Sequence, residues 1–151
     1  MYKRILFSTC MTEYCGHVFT FALNMAKENN AKLWIYHGLG RLNLSEDETN
    51  RKIAEAEAHV KEAYGNKLTD KGLDDYMINV SDGDIVSEIT KLARNAKIDA
   101  IIMGTDTKSP IAAGEDIRVG PLGQVTANTI LWSPCPVLVV PPALVPGLTR
   151  R

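Results

Sequence analysis

Ile98-Asp-Ala-Ile-Ile-Met-Gly104 is followed, after a long loop, by Gly123-Gln-Val-Thr-Ala-Asn-Thr-Ile-Leu-Trp132 and then by Pro134-Cys-Pro-Val-Leu-Val-Val-Pro-Pro142. The first run is apolar and ends on glycine, as a buried strand does at its exit. Leu122, Val125, Thr129 and Trp132 fall on one side of a short helix over 124–132. Val137–Val140 is a short apolar run bracketed by prolines, which suits an edge strand better than a central one. The order is strand, loop, helix, strand. A glycine loop that leaves a buried strand and enters a helix can hold a phosphate. The first helical N–H groups have no partner within the helix, and the helix dipole favours an anion there.

Working outward, the same alternation extends to the N-terminus. Ile5-Leu-Phe-Ser-Thr9 reads as a buried strand. Thr12 is placed to cap a helix over about 13–29, where Val18, Phe21, Ala22, Met25 and Ala26 recur at helical spacing. Lys32–His37 is the second strand. Ile53, Ala56, Val60, Ala63, Tyr64 and Leu68 mark one face of a single long helix that starts after Ser45 and ends by Gly72. Asp75–Val80 is the third strand. Ser81 to Asp84 has the spacing of a capping box, and Ile85, Ile89, Leu92, Ala93 and Ala96 follow as a third helix. Five strands alternating with four helices call for an α/β fold. It is an open five-stranded parallel sheet in the order 3-2-1-4-5, with helices on both faces. Ligands of such sheets bind beyond the carboxyl ends of the strands where the order reverses, here between the loops after Thr9 and Gly104.

Length predicts one domain over 1–151, with an irregular tail over 141–151. A net charge of −1 gives no electrostatic case for nucleic acid or an anionic membrane as partner. No apolar run is long enough to span a bilayer, and the N-terminal apolar run is too short for a secretory signal. The expected location is cytoplasmic. Three cysteines are too few, and odd in number, for a disulfide framework.

Tyr2-Lys-Arg-Ile-Leu-Phe-Ser-Thr9, Ile98–Gly104, Gly83 with Ile85 and Ile89, and Pro134-Cys-Pro-Val-Leu-Val-Val together resemble the universal stress protein family. The resemblance runs nearly end to end. It implies a five-stranded parallel α/β fold, often dimeric through the last strand, in which some members bind ATP and others do not. ATP-binding members share a pattern after the fourth strand: Gly, two residues, Gly, nine residues, then Gly followed by Ser or Thr. Gly104 matches the first glycine. The second position falls on Thr107, the third on Gly123, and the hydroxyl position on Gln124. Fifteen residues separate Thr107 from Gly123, so the loop carries about six extra. Binding members usually place an Asp after the first strand, where this chain has Cys10.

These departures have physical consequences. Thr107 brings a Cβ where backbone would approach a phosphate. Gln124 replaces a compact hydroxyl with a longer amide. Cys10 is a poor substitute for a carboxylate that would accept from ribose or adenine, or help hold Mg²⁺. Asp106, Glu115 and Asp116 in the loop repel a triphosphate, whereas Arg118 can clamp an anion. The expected crevice is therefore built from Thr9, Cys10, His37, Met103 and Gly104 on one side, and from Thr107, Arg118, Gly123, Gln124, Val125 and Thr126 on the other. His37 ends a strand within reach of a bound base, and the Thr126 hydroxyl lies one turn into its helix.

Cys10, Cys15 and His17 cluster in sequence near that crevice. They read either as small fillers or as a redox-sensing thiol; a fourth metal ligand is missing, so no metal site is expected. No nucleophile elbow or triad stands out, and no catalytic residue is assigned. The expectation is a stress-response or regulatory binding module. It is a homodimer through strand 137–140 and the tail, acting on a regulatory protein partner, with weak or absent ATP binding. The alternatives are an ATP-binding protein with slow hydrolysis and a cysteine-based redox sensor.

Overall fold

The computed structural model describes residues 1–105 and 122–142. The strands are β1 (Arg4–Ser8), β2 (Lys32–Gly38), β3 (Tyr76–Ser81), β4 (Ala100–Gly104) and β5 (Val137–Val140). They form one parallel sheet in the order β3-β2-β1-β4-β5, as the alternation predicts. The helices are α1 (Glu13–Asn29), α2 (Glu46–Val60), α3 (Asn66–Asp70), α4 (Ile85–Asn95) and α5 (Gln124–Trp132). The order reverses between β1 and β4, which pair directly.

Both faces of the sheet are covered, and the pleat sorts the side chains. Ile5 and Phe7 of β1, Leu33 and Ile35 of β2 and Ile102 of β4 pack with α1, Val60 and Tyr64. Leu6, Trp34, Tyr36, Ile101 and Met103 pack on the other face with Ile89 and Ala93 of α4. Continuous apolar runs, rather than alternating ones, are what a sheet buried on both sides requires. Phe7, Phe19 and Tyr64 make a three-ring cluster on the α1 face, with centroid separations of 4.5–5.7 Å.

Helix starts follow their cap residues. Thr12 accepts from the Cys15 N–H and Ser45 from the Glu48 N–H. The third cap departs from the capping-box reading. Asp84 itself caps α4, accepting from both the N–H and the hydroxyl of Ser87. Ser81 instead exchanges a hydrogen bond with the Tyr36 phenol. Asn30 closes α1 in the left-handed conformation, φ 52°, its N–H directed at the Ala26 and Lys27 carbonyls.

The long helix expected after Ser45 is interrupted. Lys61–Gly65 forms a π-helical segment between α2 and α3. Val60, Tyr64 and Leu68 are all buried, four residues apart. In an uninterrupted α-helix, residues four apart drift by about 40° around the axis. A wider turn cancels that drift, so all three side chains face the sheet. The loop over 106–121 and the tail from 143 lie outside the described residues. Among the described residues, no helix is long and apolar enough to cross a membrane.

The Asp84 carboxyl is held below its usual range, first by the Ser87 hydroxyl and then by the Ser87 N–H. A folded-state pKa below the unfolded one stabilises the protein above the unfolded value and loses that effect as pH falls through the folded one. Asp84→Ala is therefore expected to lower Tm near neutral pH, with the gap to the parent narrowing steadily in acid. A gap that stays constant down to the acid unfolding limit would contradict the assignment.

Candidate functional site

The exit of β1 is fixed from several directions at Thr9. Its N–H donates to the Tyr36 carbonyl at 2.9 Å, extending the sheet by one residue. Its carbonyl accepts from His37 Nδ1 at 2.9 Å, which places the ring proton on Nδ1 in the neutral imidazole. Its hydroxyl lies 2.8 Å from the Tyr64 phenol and accepts from the Met11 N–H at 3.0 Å. Burial pushes the Tyr64 phenol up to about 12, so it stays protonated and able to donate. The π-helical turn thus carries Tyr64 to the carboxyl end of the sheet.

After Thr9 the chain turns sharply. Met11 takes φ 65°, unusual for a residue with a side chain. This turn brings Cys10 back over the start of α1. Cys10 Sγ lies 2.8 Å from Cys15 Sγ, and the Cys10 N–H points at the same sulfur. Cys10 is exposed and Cys15 is buried. The bond to Cys10, and then burial, push the Cys15 thiol well up.

Across the crevice, β4 ends under an aromatic ring. A Cβ at Gly104 would fall 2.3 Å from Tyr14 Cε1, so only glycine fits beneath the ring. The Tyr14 hydroxyl donates to the Val140 carbonyl and accepts from the Thr105 N–H. Burial raises the Tyr14 phenol, which keeps it protonated for this bond. Tyr14 therefore covers the ends of β4 and β5 and takes a backbone donor just past Gly104.

The remaining expected site residues distribute as follows. Met103 packs in the α4 core, so its side chain faces away from α1. The Thr126 hydroxyl donates to the Gly104 carbonyl at 2.8 Å, tying the first turn of α5 to the end of β4 instead of presenting itself outward. Gly123 caps α5 at φ 78° with no side-chain cap, a conformation that favours glycine. Gln124 and Val125 are exposed at that helix start. Thr107 and Arg118 lie outside the described residues. His17 is exposed, and among the described residues no group of three His, Cys, Asp or Glu side chains is placed to hold a metal.

Sequence reasoning missed Tyr14 and Tyr64. Tyr14 had one available signal, a bulky aromatic at the start of the first helix beside a glycine-ended strand. Tyr64 appeared as part of an apolar face, and nothing local in the sequence announces its hydroxyl bond across 55 residues.

The chain matches the model of the universal stress protein family over residues 1–141. Solved structures of similar fold include the universal stress protein UspA from Lactobacillus plantarum, 21% identical over 92% of this chain and 97% of that one, with a TM-score of 0.67. A universal stress protein in complex with cAMP is 24% identical over 92% and 96%, TM-score 0.66. The universal stress protein from Archaeoglobus fulgidus in complex with dAMP is 15% identical over 91% and 97%, TM-score 0.59. No curated protein sequence matches significantly.

The fit of Tyr14 over Gly104 makes a double-mutant cycle informative. Gly104→Ala is expected to cost about 1–3 kcal/mol from overpacking. In a Tyr14→Ala background the same substitution should cost much less, giving a coupling energy well above 0.5 kcal/mol in urea unfolding. Additive effects would show that the ring does not rest on Gly104.

Proposed function

The chain belongs to the universal stress protein family, and on that premise we propose that it is a dimeric stress-response binding module whose crevice takes ATP weakly or not at all. The observation that supports the closed crevice is Tyr14. Its ring lies against Gly104 and its hydroxyl occupies the Thr105 N–H. A phosphate at the glycine loop needs bare backbone and open donors. Here the first glycine is covered, one donor is engaged, and the Thr126 hydroxyl is turned to a carbonyl. The module then acts in the cytoplasm through a protein partner and not through turnover.

A second reading keeps a nucleotide, with slow ATP hydrolysis at most. Two observations favour it. Relatives of similar fold are described in complex with cAMP and with dAMP. Gly123 also retains a helix start with no side-chain cap, which leaves backbone N–H groups open to an anion. In that case Tyr14 has to swing out on binding.

The dimer rests on exposed apolar side chains at one edge. β5 is an edge strand, with Leu138 exposed. Leu131 and Trp132 at the end of α5 are 71% and 66% exposed. An uncovered apolar edge invites pairing with another chain.

Two measurements test these readings. At ATP·Mg²⁺ near one hundred times Kd, binding stabilises by about 2.7 kcal/mol, a rise in Tm of several degrees for a chain of this length. The expected result is no thermal shift and no heat at millimolar ATP for the parent, with binding appearing in Tyr14→Ala. A clear shift in the parent selects the nucleotide reading. In sedimentation, the parent is expected to be dimeric at micromolar concentration and Leu138→Glu monomeric; a monomeric parent would remove the dimer.

A further inference from the structure

The two sulfurs beside the crevice have no part in the function proposed above. Their arrangement is specific. Cys10 Sγ and Cys15 Sγ are 2.8 Å apart, well inside ordinary sulfur–sulfur contact. Three features hold them there. Met11 in the left-handed conformation folds the chain back on itself. The Thr12 hydroxyl accepts from the Cys15 N–H at 3.3 Å and lies 3.4 Å from Cys10 Sγ, so one cap residue touches both cysteines. Thr9, just before, is fixed by its bonds to Tyr36, His37 and Tyr64.

We propose that Cys10 and Cys15 form a reversible dithiol–disulfide site, oxidised by peroxide, at the turn between β1 and α1. Their surroundings assign the roles. Cys10 is exposed and meets the oxidant, while Cys15 is 3% exposed and waits beneath it. The contact with Cys10, and then burial, push the Cys15 thiol up, which disfavours a thiolate there. Cys10 is then the attacking sulfur, since the thiolate and not the thiol is the nucleophile.

The step balances with a hydroperoxide as the oxidant. The Cys10 thiolate attacks one peroxide oxygen, the O–O bond breaks, and the leaving oxygen departs as water after taking a proton; Cys10 becomes a sulfenic acid. Cys15 gives up its proton and its sulfur attacks Cys10 Sγ. The S–O bond breaks, the hydroxyl leaves as water with that proton, and the S–S bond forms. Two thiols and one hydrogen peroxide yield one disulfide and two waters. An external dithiol returns the pair to the reduced state by two exchange steps. A bonded separation near 2.05 Å requires the sulfurs to close by about 0.8 Å. Oxidation would fasten the turn to α1 next to Tyr14, the helix residue that covers Gly104.

Cys135 provides an internal control. It is half-buried and precedes β5 at the opposite end of the sheet. Burial pushes its thiol up, and its neighbour is the Ser133 hydroxyl, not a second sulfur. The test uses the reduced full chain treated with hydrogen peroxide, then alkylated and mapped by mass. The parent is expected to lose two hydrogens and to give a linked Cys10–Cys15 peptide, reversed by dithiothreitol, while Cys135 stays alkylatable. Cys15→Ser should stop at a sulfenic acid on Cys10 that dimedone traps. The proposal is overturned if Cys10 and Cys15 both remain alkylatable under peroxide that oxidises Cys135. It is equally overturned if the disulfides formed join two chains instead of closing within one. The parent measurement alone decides this, whatever the folding of the serine variant.

Discussion

Thr9 is the residue through which separate parts of the chain are held to one geometry. Its N–H, carbonyl and hydroxyl each have a partner, drawn from β2, from the π-helical turn and from the turn that follows β1. A buried backbone or hydroxyl group left unpaired costs about 1–3 kcal/mol, so these partners act together to exclude other paths for the chain after β1. The consequence is positional. Met11 is held in a left-handed conformation that a non-glycine residue avoids when unconstrained. Cys10 and Cys15 meet because that conformation is enforced, and Tyr14 enters the crevice because α1 begins where it does.

The sheet order and every strand were legible in the sequence because two-sided burial writes itself as continuous apolar runs, and parallel pairing leaves few allowed connections. Val137–Val140 was found to the residue since prolines mark both its ends. The interruption at Lys61–Gly65 was not legible. Val60, Tyr64 and Leu68 present the same apolar spacing whether the intervening turn is α or π, and the choice is made by the fit of the tyrosine against Phe7 and Phe19. Likewise the cap of α4 was misplaced onto a capping box beginning at Ser81. Ser81 has another use, a bond to Tyr36 on the neighbouring strand, which no local pattern can reveal.

The candidate site divides along the same line. Gly104 and Gly123 were legible because their requirement is local: one must admit a close neighbour, the other must adopt a positive φ. What presses on Gly104 is not local. Tyr14 lies 90 residues earlier, and its hydroxyl reaches the Val140 carbonyl at the far end of the chain. A motif describes the backbone it needs and says nothing about which side chain fills the space. Here the space over Gly104 is filled by the Tyr14 ring.

A ring over Gly104 requires glycine as strictly as a phosphate does, so the glycine by itself no longer argues for a ligand. The Thr105 N–H is accepted by Tyr14 and the Thr126 hydroxyl is donated to Gly104, so these two groups are satisfied from within the chain. At the exit of β1 the Cys10 and Cys15 sulfurs are in direct contact. Tyr14 over Gly104 and Cys10 beside Cys15 thus both follow from where α1 begins, at the edge of the crevice between β1 and β4.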